Sequence, residues 1–442
     1  MAVVGLASAV GAAAVAAGPI GLSTASAAST GSSGKIVFSK STRAKRTVPE
    51  AAYKDYTGIT KTTVTVGNVS SKMPILFPGA PIGAQAYFDY VNSTGGVNGR
   101  HIVLQSQDDG FSASTNKAET QQAVTRDAAM VGSFSLFDSY GGQVLQQNPN
   151  VPDVSVTLDP KTGTLNNVYS PVPIPGGWQE GSLLYFKKLN PAGARNTAAL
   201  VANETSATDA WQGQKATMQH LGYKITYENI FALGTTTAQW DQFVLEMKNK
   251  GVKMVFIEQN PPLYAGPLIQ AMATQDFHPM VVLGASTYSP QLISVAGGAK
   301  NVDGFYLEQN LPLYDGQDAG EIPADRLFLT WLRKSDPSWV TNGKIDLFTL
   351  YGWLSAELFT QALKNAGKDP SRGSILKALS KITDFTGGNL TAPTNPSAGT
   401  VSNCYVLGEI TNGTWTRLDN PPIHGSTNGY RCDHQFYLAS GA

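Results

Sequence analysis

The sequence predicts an α/β chain of two lobes, each a doubly wound parallel sheet covered by helices, joined by crossing hinge segments. Three observations predict it. Strand-like apolar runs alternate with helical stripes along most of the chain. The alternation breaks at a proline-rich stretch, Pro171, Pro173 and Pro175, and restarts near residue 195. The run 254–257 is apolar at every position, as a strand buried on both faces requires.

The first unit lies in residues 62–110. Val64, Val66 and Val69 sit in a short β-branched run, which suits a buried strand. A long loop follows. Ile82, Ala86, Tyr87, Tyr90 and Val91 then form an apolar stripe at helical spacing. Asn92 and the pair Gly95–Gly96 end that helix, because glycine takes the left-handed C-cap without steric cost. Ile102, Val103 and Leu104 start a second strand that closes at Asp108–Asp109. A phosphate cradle needs glycines after a strand and before a helix. Here Gly95, Gly96 and Gly99 follow a helix and precede a strand, so they read as a turn.

The rhythm continues with strands at 129–132 and 151–156. The second series has strands at 197–201, 224–230, 254–257 and 280–283. Helices are expected near 209–221 and at 238–249, where Trp240, Phe243, Val244 and Met247 make an amphipathic stripe. A second crossing is expected at 304–311, and a long helix at 347–366. The C-terminal piece reads as a hairpin turning at Asn412–Gly413.

The pattern G-A-x-x-Y-F-x-x-V-N-x-x-G-G-V-N-G-R-x-I-x-L-x-x-x-D-D in 83–109 resembles the start of the type I periplasmic binding proteins. Its nearest branch is the leucine-binding, branched-chain amino acid receptors of ABC importers. The resemblance covers about 60–440, weakening towards the C-terminus. It implies a ligand cleft between the lobes, hinge closure, delivery of a small polar organic solute (an amino acid, an amide or a small carboxylate) to the permease subunits of an ABC importer, a monomeric extracytoplasmic chain and no cofactor. It also implies that the 347–366 helix returns to the first lobe. The expected lobes are 60–174 with 311–385, and 175–310 with 386–442.

Composition narrows the partners. Thirty-two basic residues balance thirty-two acidic ones, and 14% of residues are charged, against a usual ~25%. No basic patch is present, which argues against nucleic acid. Residues 2–22 carry no charge, and Ala25-Ser26-Ala27 provides small residues for cleavage, so 1–27 read as a secretory signal peptide or an uncut anchor. The basic start of such a signal is missing, and no lipobox cysteine follows it. Residues 28–59, Ser/Thr/Gly-rich with Arg43, Lys45 and Arg46, read as a flexible tether. Cys404 and Cys432 read as a disulfide in an exported chain. A metal site with His434 or His424 is the alternative, although the spacing fits no standard zinc pattern.

In open α/β sheets, ligands lie beyond the carboxyl ends of the strands. The first loop offers Ser70, Ser71, Met73, Leu76 and Phe77. The third and fourth strands lead to Ser133, Phe134, Ser135 and Phe137, and to Ser155 and Thr157. The resemblance implies that hydroxyls here hold a ligand carboxylate; helix capping is the other reading. In the second lobe the candidates are Thr208, Asn260, Tyr264, Ser286 and Thr287, with Tyr288 as an aromatic neighbour. Amino acid receptors place a carboxylate where Ser286 and Thr287 stand, so this chain lacks that ammonium anchor. Asp209 and Glu258 are the remaining acidic candidates, either for a ligand or for helix N-termini.

The sequence has no G-x-S-x-G, H-E-x-x-H, C-x-x-C or P-loop motif, and its five histidines are scattered. A binding protein is therefore expected rather than an enzyme. A ligand-sensing component and a secreted hydrolase with an unrecognised site are the alternatives.

Overall fold

The computed structural model describes residues 34–41, 43, 45–72, 77–174, 176–232, 234–257, 260–418 and 429–438. The expected signal peptide, Met73, Leu76, Glu258 and His424 lie outside them.

The first sheet contains β1 (Thr63–Ser70), β2 (His101–Asp108), β3 (Ala129–Val131), β4 (Asp153–Val154) and β5 (Val168–Tyr169). All pairs are parallel, in the order β2-β1-β3-β4-β5. A short strand β6 (Gly177–Gln179) follows the proline-rich crossing. The second sheet then takes β7 (Thr197–Ala202), β8 (Ile225–Phe231), β9 (Met254–Ile257), β10 (Met280–Leu283) and β11 (Tyr306–Gln309). These run parallel in the order β8-β7-β9-β10-β11, which repeats the topology of the first sheet. The pair β12 (Thr394–Asn395) and β13 (Thr400–Val401) forms a small antiparallel sheet. The hairpin β14 (Val406–Thr411) and β15 (Thr414–Arg417) adds antiparallel strands to the edge at β11. Last, β16 (Phe436–Leu438) pairs with β6.

Every residue of β7 and β9 is buried, as strands covered by helices on both faces must be. The hairpin turns at Asn412 (φ 51°) and Gly413 (φ 74°), where a two-residue turn needs positive φ at both positions. Gly95 (φ 94°) and Gly96 (φ 73°) likewise follow the helix Gly79–Ser93 in left-handed backbone.

After β11 the chain returns to the first sheet's side. The helix Leu347–Asn365 packs on the helix Gly79–Ser93, and Pro323–Ser335 packs on it too. The 347–365 helix is buried along nearly its whole length. Together with β1, β3 and β7–β11 it belongs to one continuous apolar core.

The described part of the expected tether is not free of the body. Ser39 donates its N–H to the Val401 carbonyl at 2.8 Å. Arg46 lies over the Tyr169 ring at 3.8 Å and donates to the carbonyls of Ser397, Leu165 and Asn166. A 3-10 turn, Glu50–Lys54, buries Ala52. Asp55 pairs with Arg372 at 3.0 Å, and Arg372 also donates to the carbonyls of Val124 and Asp127. The basic cluster thus works as a strap, because its guanidinium groups satisfy carbonyls at the ends of distant elements.

Cys404 and Cys432 form a disulfide with a Cα–Cα distance of 4.1 Å. Asn403 beside it receives Val37 N–H and donates to the carbonyls of Cys432 and His434. No His/Cys/Asp/Glu cluster suited to a metal occurs among the described residues.

Candidate functional site

A cavity of about 640 Å³ lies between the two sheets. Organic ligands occupy sites of roughly 300–1,000 Å³, so it has room for one. Its walls come from the carboxyl ends of both sheets. Phe77, Phe134, Leu136 and Leu158 follow β1, β3 and β4; Ala202 ends β7, and Glu204, Pro261 and Ser286 follow β7, β9 and β10. In each lobe the strand order reverses at the first strand, between β1 and β3 and between β7 and β9, and such a switch point opens a crevice.

The first wall is aromatic. Phe77 meets Phe348 at 4.5 Å and Phe134 at 4.7 Å between ring centroids. Phe134 also packs on Phe348 at 4.9 Å and on Tyr351 at 6.0 Å. Phe348 and Tyr351 reach the cavity from the 347–365 helix. Burial pushes the Tyr351 hydroxyl upward, so it stays protonated.

The second wall carries the polarity. Tyr264 and Ser286 line it, and the Ser286 hydroxyl is buried without a hydrogen-bond partner among the described residues. Glu204 stands at the N-cap of the helix Thr205–His220 and does not cap it with its side chain. Burial raises its carboxyl from the ordinary value. Burial raises the Tyr264 hydroxyl too, with the Glu204 charge as a further cause. Between the walls, Trp178 donates its indole N–H to Glu308 at 2.8 Å, and Gln214 donates to the same oxygen at 3.2 Å. The charged residues lining the cavity are Glu204, Asp209 and Glu308, all acidic, among the described residues.

Of the candidates read from the sequence, Phe77, Phe134, Tyr264 and Ser286 line this cavity, as does Asp209. The other hydroxyls and the amide are placed differently. Ser133 accepts from Val69 N–H, and its own N–H goes to Ser155. Ser155 donates to Asp153 at 2.6 Å. Ser135 donates to Asp109, which also receives Ser71 at 3.0 Å. Thr287 donates to the carbonyls of Ile257 and Asn260, and Asn260 bridges Ala202 N–H and the Leu200 carbonyl. Thr208 donates back to the Glu204 carbonyl within its helix. Thr157 is half-buried beside Leu158, outside the lining. Ser133, Ser135, Ser155, Asn260 and Thr287 tie the sheet ends together, while neighbours of the candidates, one to three residues away, meet the cavity: Phe134, Leu136, Leu158, Ala207 and Pro261.

Sequence reasoning missed Trp178, Glu204, Glu308, Gln309 and Phe348. The signal for Phe348 was present, since the apolar stripe at Leu347 and Tyr351 marks the same helix. The other four sit at the crossings or at the helix entry, where no periodicity marks a facing residue.

The sequence profile of the periplasmic binding protein family matches residues 64–414. The chain belongs to the type I periplasmic binding proteins. Membership of that family implies an extracytoplasmic place of work. Among the described residues no helix of this binding protein is long and apolar enough to cross a membrane. None of the curated proteins matches it. Solved structures share the fold at low identity. A branched-chain amino acid ABC transporter protein from Thermus thermophilus, with bound valine, aligns with a TM-score of 0.67 at 15% identity, over 86% of this chain and 97% of its own. A fatty acid ABC transporter substrate-binding protein from Thermomonospora curvata aligns at 0.64 and 16%, over 89% and 97%. An extracellular ligand-binding receptor from Verminephrobacter eiseniae aligns at 0.65 and 18%, over 80% and 100%.

Proposed function

We propose that this binding protein captures a small organic solute with a sizeable apolar body between its lobes, closes by a hinge motion, and presents it to the permease subunits of an ABC importer. The observation that carries this reading is the cavity itself, walled by the carboxyl ends of two sheets of the same topology. The aromatic cluster of Phe77, Phe134 and Phe348 gives the first wall an apolar face, which suits a solute with an apolar part. Two proteins of the same fold, one with bound valine and one a fatty acid ABC transporter substrate-binding protein, support solute capture as the reading. Crossing segments between the lobes, expected at the proline-rich stretch 171–175 and at 304–311, would suit a hinge.

Binding to the folded state alone raises the melting temperature by mass action. A thermal-shift panel of amino acids, amides, carboxylates, alcohols, amines and aromatic solutes on the purified chain is the test. One chemical class that shifts the transition supports capture. Flat curves across the panel, with turnover of an ester or amide, point to a hydrolase instead.

A further inference from the structure

The cavity's charged groups are of one sign, Glu204, Asp209 and Glu308 among the described residues. Gln309 lines it and is 6% exposed. Its Nε2 donates to the Pro312 carbonyl at 2.7 Å, which fixes the amide so that Oε1 is the remaining group. That Oε1 is buried and accepts no hydrogen bond among the described residues. Glu204 and Asp209 add acceptor carboxylates on the same wall. The Ser286 hydroxyl is also unpartnered and can accept or donate. Lys, Arg and His are absent from the described lining.

Two of the hydroxyls expected to hold a ligand carboxylate are otherwise engaged. The hydroxyls of Ser135 and Ser155 already donate to the chain's own carboxylates, Asp109 and Asp153. The N-terminus of the 205–220 helix would attract negative charge. Glu204 stands at that end and supplies the charge from within the chain.

Acceptors left over in a closed site are costly unless the ligand brings donors. An ammonium is all donor, and a carboxylate is all acceptor. Building on the capture reading, we infer that the solute is an apolar amine without a carboxylate. Its ammonium head meets Glu204, Asp209, Gln309 and Ser286, and its apolar body lies on Phe77, Phe134 and Phe348. Tyr264, on the same wall, adds an aromatic surface that also favours a cation.

The test is isothermal titration of the full mature chain with three probes of one skeleton: 4-phenylbutylamine, 4-phenylbutanol and 4-phenylbutyrate. The amine is expected to bind at least about tenfold tighter than the carboxylate, and Glu204→Gln or Asp209→Asn to weaken the amine about tenfold while leaving the alcohol within about twofold. A carboxylate that binds as tightly as the amine overturns the inference and leaves solute capture standing. Equal loss of amine and alcohol in both variants also overturns it, since the carboxylates then serve only the wall's shape. If none of the three binds while another class on the wider panel does, the inference fails and capture survives. If nothing on the wider panel binds either, capture fails with it.

Discussion

A Cβ placed on Gly83 would lie 1.8 Å from the carbonyl oxygen of Thr349, so the helices Gly79–Ser93 and Leu347–Asn365 touch backbone to backbone. The contact is reciprocal, because a Cβ on Gly352 would lie 1.8 Å from the Ala80 carbonyl oxygen. Glycine at both positions sets how deep and at what rotation the second helix sits. That rotation places Phe348 and Tyr351 against Phe134 and the cavity. The first prediction follows directly. Gly83→Ala or Gly352→Ala should cost about 1–3 kcal/mol by overpacking. Urea unfolding reads the loss, and solute affinity should fall with it as the aromatic wall shifts.

The Asp109 network separates a scaffold role from a ligand role. Asp109 is fully buried and receives Ser71, Ser135 and Asn116 side chains and the Phe111 N–H. Asp109→Ala leaves those donors unmatched and should cost roughly 3 kcal/mol or more. Ser135→Ala should cost about 1 kcal/mol and change solute affinity less than about threefold, because the hydroxyl serves Asp109. A calorimetric titration with Ser135→Ala that loses binding altogether would place this serine on the ligand.

Legibility in the sequence follows the range of the interactions. β9 and β10 were readable to the residue because four consecutive apolar residues admit little else. Asn412–Gly413 and Gly95–Gly96 were readable because their backbone angles are local demands. The strap was not. Arg46 finds its partners 119 and 351 residues away, and a short basic cluster carries no trace of that. The hydroxyl candidates show a subtler effect. β3 ends at Val131, and β4 ends at Val154, two residues before the expected end at 156. Ser133 and Ser155 therefore bond across the top of the sheet, and the chain reaches the cavity a step later, at Phe134, Leu136 and Leu158.

Buried carboxyls predict an acid-favoured stability. Burial pushes Asp325 up to about 8, with the charges of Asp318 and Asp315 adding to it. Both Asp325 oxygens lack a hydrogen-bond partner among the described residues. Burial raises Asp153 to about 7 despite the Ser155 hydrogen bond. A folded value above the unfolded ~3.9 means the folded state holds the proton longer. Their contribution is complete below pH ~4 and is lost as pH rises through about 7 for Asp153 and about 8 for Asp325. Asp325→Asn should match the parent's melting temperature below pH ~4 and exceed it at pH 8.5. Equal melting curves at both values would remove Asp325 from the account.

The disulfide closes a loop of sequence separation 28. In the chain-entropy treatment such a loop is worth about 3–4 kcal/mol. Reduction with dithiothreitol, or Cys404→Ser with Cys432→Ser, should lower the urea midpoint accordingly. The two cysteines and Asn403 hold the N-terminal strap to the β14 end, so protease cutting should appear first at residues 34–41 in the reduced chain.

The claim that the solute binds between the two walls has one direct measurement. Ala285 lies after β10 on the cavity lining, half-buried, and Ala285→Trp would fill space there. Solutes that shift the melting transition should be titrated calorimetrically into the parent chain and into Ala285→Trp, with circular dichroism confirming that both are folded. The account predicts measurable binding to the parent and at least about tenfold weaker binding to the variant. Equal affinity in both proteins would put the solute somewhere other than this cavity and contradict it.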